Sequence, residues 1–220
     1  MLEIEKIEVD VANAGHITNC YLAFDETKKA ILIDPGYDAY RILSKLKEKE
    51  VTLQYILLTH GHADHMGALK EIEEVTRAAI LISPKEKDMV LEKIENYASY
   101  LGVERQNISE DCLQTVQDEE SVLIGNHVGK ILYTPGHSAG SICLFFEKEQ
   151  ILFTGDTVFS DCYGRCDLLG GSKEEMILSL RKVFKLGEEI KIFPGHGEIT
   201  TLKKAKKYIK MLFALKGITL

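Results

Sequence analysis

Tyr55-Ile56-Leu57-Leu58-Thr59-His60-Gly61-His62-Ala63-Asp64-His65 is the stretch that decides how this chain is read. A short, wholly apolar run such as Tyr55 to Leu58 marks a strand buried on both faces. It ends directly on a group of polar donors: His60, His62, Asp64 and His65 fall within six residues. Imidazole nitrogen and carboxylate oxygen are the ligands that Zn²⁺ accepts beside thiolate. A strand-to-helix turn lets such closely spaced side chains diverge, so they can serve two ions instead of crowding one. On that reading His60 and His62 face one ion, and Asp64 and His65 the other.

Working outward, the chain reads as strands first and mixed elements after. Leu2, Ile4, Ile7 and Val9 mark an edge strand, followed by strands at Cys20 to Phe24 and Ala30 to Ile33. Asp34-Pro35-Gly36 stops that run with turn chemistry. A helix is expected over Asp38 to Glu50, capped by Asp38, with Ile42, Leu43 and Leu46 on one face. Beyond the histidine cluster, a helix from Met66 to Arg77 and a strand at Ala79 to Ile82 are expected, and residues 84 to 112 read as polar and helical. Strands recur at Val122 to Ile124, Val128 to Tyr133, Ile142 to Phe146, Ile151 to Phe153 and Ile190 to Phe193. Helices are expected at Lys173 to Leu186 and Leu202 to Ala214. Many strands with helices interspersed in both halves predict two sheets packed face to face with helices outside, in one domain over residues 1 to 220.

Three further donors stand at the ends of apolar strands. His137 lies in Thr134-Pro135-Gly136-His137-Ser138 and His196 in Phe193-Pro194-Gly195-His196-Gly197, each lifted off a strand by a Pro-Gly turn. Asp156 closes Ile151-Leu152-Phe153-Thr154-Gly155-Asp156. Five of the seven histidines therefore sit in strand-terminal loops. The other two, His16 and His127, are expected to have ordinary polar or surface roles.

Composition narrows the class of partner. A net charge of −7 argues against a broad nucleic-acid-binding surface, and the lysines at 203, 204, 206, 207 and 210 read as the solvated face of the last helix. No stretch approaches the ~20 apolar residues that span a bilayer. The acidic, alternating start Met1-Leu2-Glu3-Ile4-Glu5 is unlike a signal peptide. Five scattered cysteines suggest free thiols in a reducing compartment, so a cytoplasmic location is expected.

The set His60-x-His62-x-Asp64-His65, His137, Asp156 and His196 resembles the metal-ligand set of the metallo-β-lactamase superfamily, with all seven positions filled. The resemblance implies an α+β fold, a four-layer αβ/βα sandwich with the site on the rim between the sheets. It implies one Zn²⁺ on His60, His62 and His137, a second on Asp64, His65 and His196, and Asp156 bridging them. Two ions ~3.5–4 Å apart share a water and lower its pKa, so a bridging hydroxide would attack an acyl carbon. Asp64 is the candidate to orient the hydroxide or shuttle a proton. Asp34 resembles the family's buried carboxylate that orients the ligand cluster, and turn-capping is the other role open to it.

Three details narrow the branch. His62 stands where flavodiiron-type relatives have Glu. Asp156 stands where the best-known β-lactamases of the superfamily carry Cys, which argues against a β-lactam substrate. Gly164-Arg165-Cys166-Asp167 resembles the Gly-Arg-(Ser/Thr)-Asp segment of glyoxalase II-like hydrolases and persulfide dioxygenases, with Cys166 replacing the hydroxyl. Arg165 and Asp167 are expected to pair and shape the loop below the metals. Cys162 and Cys166 lack Cys-x-x-Cys spacing and read as bystanders. The expected activity is hydrolysis of a small acyl thioester or ester by a dinuclear Zn²⁺ site. The alternative is an oxidoreductase like the persulfide dioxygenases, with one Fe²⁺ on His60, His137 and Asp156.

Overall fold

The computed structural model describes residues 1–11, 15–102, 104–215 and 217. Two six-stranded sheets make up its centre. The first holds, in spatial and sequence order, β1 (Glu3–Val11), β2 (His16–Phe24), β3 (Lys29–Ile33), β4 (Thr52–Leu57), β5 (Ala79–Ile82) and β6 (Leu113–Thr115). The second holds β7 (Ser121–Ile124), β8 (His127–Tyr133), β9 (Ile142–Phe146), β10 (Ile151–Gly155), β11 (Lys191–Pro194) and β12 (Thr200–Thr201), again in sequence order. The β1–β2–β3 meander is antiparallel, whereas β3 to β6 run parallel. In the second sheet β7 to β10 are antiparallel neighbours and β10 pairs parallel with β11.

Alternation along the strands explains the layering. Ala30 and Leu32 of β3 turn outward, against α1 (Ala39–Lys49) and α3 (Leu69–Thr76), while Ile31 and Ile33 turn into the seam between the sheets. In β9, Cys143 and Phe145 face α6 (Lys173–Val183) and α7 (Leu202–Leu215), while Ile142, Leu144 and Phe146 face the seam. A strand with both faces buried must be apolar at every position, which is why these runs lack polar residues. The seam is tied by rings: Tyr21 meets Phe153 at 5.4 Å and Phe193 at 5.5 Å between centroids. Burying each such ring contributes about 2–3 kcal/mol. The result is helices, sheet, sheet, helices, the four-layer α+β sandwich.

The expected elements are found with three differences. The Met66–Arg77 helix is two pieces, α2 (Ala63–Met66) and α3, interrupted at Gly67 and Ala68. The interruption follows from close backbone packing: a Cβ at Gly67 would overlap the Gly36 carbonyl oxygen, and one at Gly36 the Asp64 carbonyl oxygen. Strand β2 begins four residues earlier than expected, at His16. Residues 84 to 112 are not a long helix. They form single turns at Pro84–Glu86 and Glu110–Cys112 and short helices α4 (Lys87–Val90) and α5 (Ala98–Leu101). Left-handed backbone at Glu92, Tyr97, Gly102 and Asn107 breaks the segment repeatedly. The Glu92 carboxylate accepts from the Gln106 and Asn107 amides, so polar side chains stabilise turns here instead of a helical face.

Candidate metal centre

The parallel strands β4, β10 and β11 all end on one rim, and each delivers donors there. β4 releases the loop with His60 and His62 and the turn of α2 with Asp64 and His65. β10 ends beside Asp156, and β11 ends at Pro194 before His196. β8 ends before Pro135-Gly136-His137 on the same rim. All seven predicted donors thus converge, six of them buried and His196 part-buried.

Two overlapping groups result. His62 Nδ1 lies 3.0 Å from His137 Nε2, and His60 completes the first group. In the second, His65 Nε2 lies 3.4 Å from His196 Nε2 and 3.7 Å from Asp64 Oδ2, and His196 Nε2 lies 3.4 Å from that same oxygen. Asp156 stands between them: its Oδ2 is 3.5 Å from both His137 Nε2 and His196 Nε2, and its Oδ1 is 3.4 Å from His65 Nε2. Ligands on one tetrahedral Zn²⁺ with bonds of ~2.0–2.1 Å lie ~3.3 Å apart, so the second group's spacing already matches a shared ion.

The outer nitrogens fix which lone pairs face inward. His60 Nδ1 donates to Thr59 Oγ1 (3.1 Å), whose own proton goes to Asp34 Oδ2 (2.7 Å). His65 Nδ1 donates to Asp34 Oδ2 (2.9 Å), His137 Nδ1 to the Arg165 carbonyl (2.8 Å) and His196 Nδ1 to the Ile17 carbonyl (2.7 Å). Holding the proton on Nδ1 leaves Nε2 as a lone pair aimed at the centre, the arrangement a metal-binding imidazole needs. His60 Nε2 and Asp156 Oδ1 are buried with no hydrogen-bond partner. Buried polar atoms are nearly always satisfied, and a cation would satisfy both. The donor set therefore fits divalent metal.

Electrostatics agree. Burial, then the charge of neighbouring imidazoles, holds His60 well below the usual histidine range and His62 down at about 3. Burial alone would raise Asp64 and Asp156, but the imidazoles around them outweigh it and keep both well below the usual carboxylate range. Burial likewise opposes charge on His65 and His196, yet the two carboxylates prevail, pushing His65 well up and His196 to about 10. The same carboxylate charge would hold a divalent cation on this side of the centre.

The residues expected around the cluster fall into place with one change of role. Asp34 Oδ1 accepts from the Thr59 amide (2.8 Å) while its Oδ2 orients His65 and Thr59, so it caps the turn and aligns the cluster together. Arg165 and Asp167 form a two-pronged pair, both bonds 2.8 Å, on the exposed lip. It is the Arg165 backbone carbonyl, not its guanidinium, that reaches the cluster through His137. Cys162 and Cys166 are free, and burial raises both thiols, Cys162 to about 11, so neither is an activated nucleophile.

Two residues escaped the sequence. Glu86, 1% exposed, accepts from the Gly61 amide (2.9 Å) with Oε2 and from Ser138 Oγ (2.8 Å) and the Gly140 amide (2.6 Å) with Oε1. One carboxylate therefore clamps the His60–His62 loop to the His137 loop. His16 has no bland surface role: its Nε2 lies 3.0 Å from Asp64 Oδ2. His127, the other set-aside histidine, pairs with Glu149 away from the cluster. Above the donors opens a cavity of about 620 Å³, walled by Tyr97, Tyr100, Leu101, Phe159 and Leu168. The irregular 84–112 segment supplies three of those walls, and Tyr97 packs edge-on against His62.

Comparison with known proteins agrees with this geometry. The metallo-beta-lactamase superfamily model matches residues 14–196. The hydroxyacylglutathione hydrolase GloC of Haemophilus influenzae is 32% identical over 190 residues, 86% of this chain and 90% of that protein. The probable polyketide biosynthesis zinc-dependent hydrolase PksB of Bacillus subtilis is 31% identical over 83% of this chain and 74% of its own length. Among solved structures, the BLEG-1 B3 metallo-beta-lactamase superposes with a TM-score of 0.86 at 30% identity, covering 96% of this chain and 99% of that one. The chain belongs to the metallo-beta-lactamase superfamily, a superfamily of metallo-hydrolases, in its glyoxalase II-like branch.

Proposed function

We propose that this protein hydrolyses a small acyl thioester or ester with two Zn²⁺ ions, one held by His60, His62 and His137, the other by Asp64, His65 and His196, with Asp156 between them. The observation that carries the reading is the convergence of seven donors on one cavity floor, with the outer nitrogens of His60, His65, His137 and His196 already engaged so that their Nε2 lone pairs face inward. When bound, two divalent ions there would supply Lewis-acid polarisation of a carbonyl oxygen and a water whose pKa falls towards ~7. Asp64 would orient that water and carry its proton. Tyr97, Tyr100, Leu101, Phe159 and Leu168 would take the acyl group and exclude bulk water from it. A thiolate leaves without needing a proton from the chain. The net charge of −7 and the modest cavity both favour a small-molecule substrate over nucleic acid. The name of GloC supports a hydroxyacyl thioester, and that of PksB supports zinc.

The test is metal analysis of the purified protein, followed by assays with S-lactoylglutathione, an acyl-coenzyme A, an aryl ester and a chromogenic cephalosporin. Close to two Zn per chain and turnover of a thioester or ester are expected. The cephalosporin is included because a structural neighbour is named a B3 metallo-beta-lactamase and only the residue at 156 argues against that substrate. One Fe per chain, with O₂ consumed on adding glutathione persulfide, would overturn the hydrolase reading in favour of the oxidoreductase.

A further inference from the structure

The β1–β2 hairpin carries a sixth imidazole to the centre. We propose that His16 is an additional protein donor to the metal position defined by Asp64 and His196, an inference that rests on the dinuclear reading above. Its Nε2 lies 3.0 Å from Asp64 Oδ2, the same oxygen that lies 3.4 Å from His196 Nε2 and 3.7 Å from His65 Nε2. Three imidazole nitrogens therefore crowd around one carboxylate oxygen. His16, Asp64 and His196 each offer a donor atom, all within 4.8 Å of one another. Ligands sharing one ion through ~2.0–2.1 Å bonds lie ~2.9 Å apart at an octahedral edge and ~3.3 Å apart at a tetrahedral one. The His16–Asp64 separation falls between these. The His16 and His196 rings lie edge-to-face, 5.4 Å apart at 65°, instead of stacking.

The hairpin holds this imidazole in place by more than chance contact. His16 is register-paired with Val11 across the β1–β2 ladder, and the Gly15 amide beside it donates to Asp10 Oδ1 at 2.7 Å. The next residue, Ile17, provides the carbonyl that orients His196 through Nδ1. One hairpin end therefore both aligns His196 and presents His16. The His16 side chain is 47% exposed, on the cavity side, so it approaches the ion from the direction of substrate. With His16 counted, Asp64, His65, Asp156 and His196 become four of five protein donors. Five donors exceed a closed tetrahedron and suit five- or six-coordinate metal.

The experiment compares the wild-type protein with His16→Ala, a half-exposed position whose truncation removes no core packing. Apo protein is titrated with Zn²⁺ against a chromophoric chelator, and crystals of the two-zinc wild type are examined. The expected result is two ions in both proteins, with the second bound at least tenfold more weakly in His16→Ala and the first unchanged. His16 Nε2 is expected within ~2.3 Å of that second ion in the crystal. Two ions bound with unchanged affinities in the variant would overturn the proposal while leaving the dinuclear centre standing. So would a weaker second ion with His16 Nε2 more than ~3 Å from it, which would make His16 a hydrogen-bond donor to Asp64 and not a ligand. A wild-type protein that holds only one ion would overturn both this inference and the dinuclear reading.

Discussion

Substituting Glu86 by Gln tests the clamp between the two histidine loops without changing side-chain volume. The carboxylate accepts from three donors, two of them backbone amides, in a site closed to water. Glutamine keeps only one acceptor oxygen. With its NH₂ in the Oε2 position, it faces the Gly61 amide; in the Oε1 position, it faces the Gly140 amide, although the Ser138 hydroxyl can rotate to accept from it. Either way one buried N–H loses its partner, at a cost of about 1–3 kcal/mol, and the surviving bonds lose their charge assistance. A total loss of about 2–4 kcal/mol follows, equal to a fall in Tm of roughly 5–15 °C for a chain of this size. Because Gly61 lies between His60 and His62 and Gly140 follows His137 in its loop, affinity at the His60–His62–His137 position should drop about 10–100-fold. Thermal unfolding of the apo and zinc forms, with metal competition, measures both. An apo Glu86→Gln protein with unchanged Tm, or one that melts early yet binds the first ion as tightly as wild type, would refute the argument that Glu86 holds both loops in register.

Three other outcomes are expected. A Cβ added at Gly195 would collide with Asp156 Oδ1 and sit 2.7 Å from His65 Cε1, so Gly195→Ala should retain one ion and lose the second, as read by metal analysis on protein with an unchanged circular-dichroism spectrum. His65 and His196 are both pushed upward, His196 to about 10. His196 therefore carries a proton at pH 7.5 without metal, so zinc uptake should release protons and strengthen as pH rises towards about 10. Calorimetry in buffers of different ionisation enthalpy counts those protons, and a count of zero would contradict the assignment. Asn19 Nδ2 donates to the Pro194 and Gly197 carbonyls, 2.9 Å each, bracketing His196. Asn19→Ala should cost about 2–3 kcal/mol and weaken the second ion more than the first, which thermal melts and zinc titration together would reveal.

How much of this was legible beforehand depends on whether a residue's neighbours are local. Ile31, Ile33 and Phe153 could be read as strand interior because alternation and apolar runs are properties of the strand itself. His60 to His65, His137 and His196 could be read because each follows an apolar strand, the latter two through Pro-Gly turns. Glu86 could not: Pro84-Lys85-Glu86-Lys87-Asp88 looks like a solvated charged turn, and its burial arises only when the loops of Gly61 and Gly140 close over it. His16 is hidden for the same reason, since no motif surrounds it and the pairing of Val11 with His16 carries it to the rim. A continuous helix does not form over 84 to 112 because polar side chains there bond to nearby backbone, a contest with helix formation that composition alone does not settle.

The donors come from both sheets, and this has a consequence for the order of events in the cell. His65 and His196 lie 131 residues apart along the chain and 3.4 Å apart in the folded protein. Joining them in an unfolded chain would cost about 4 kcal/mol of loop-closure entropy, roughly a thousandfold in affinity. Packing of the seam, where Tyr21, Phe153 and Phe193 meet, contributes towards that cost without calling on an ion. If the chain folds before it meets metal, its donors form a finished receptor, and the choice of ion rests with that receptor and with whatever ions its surroundings supply.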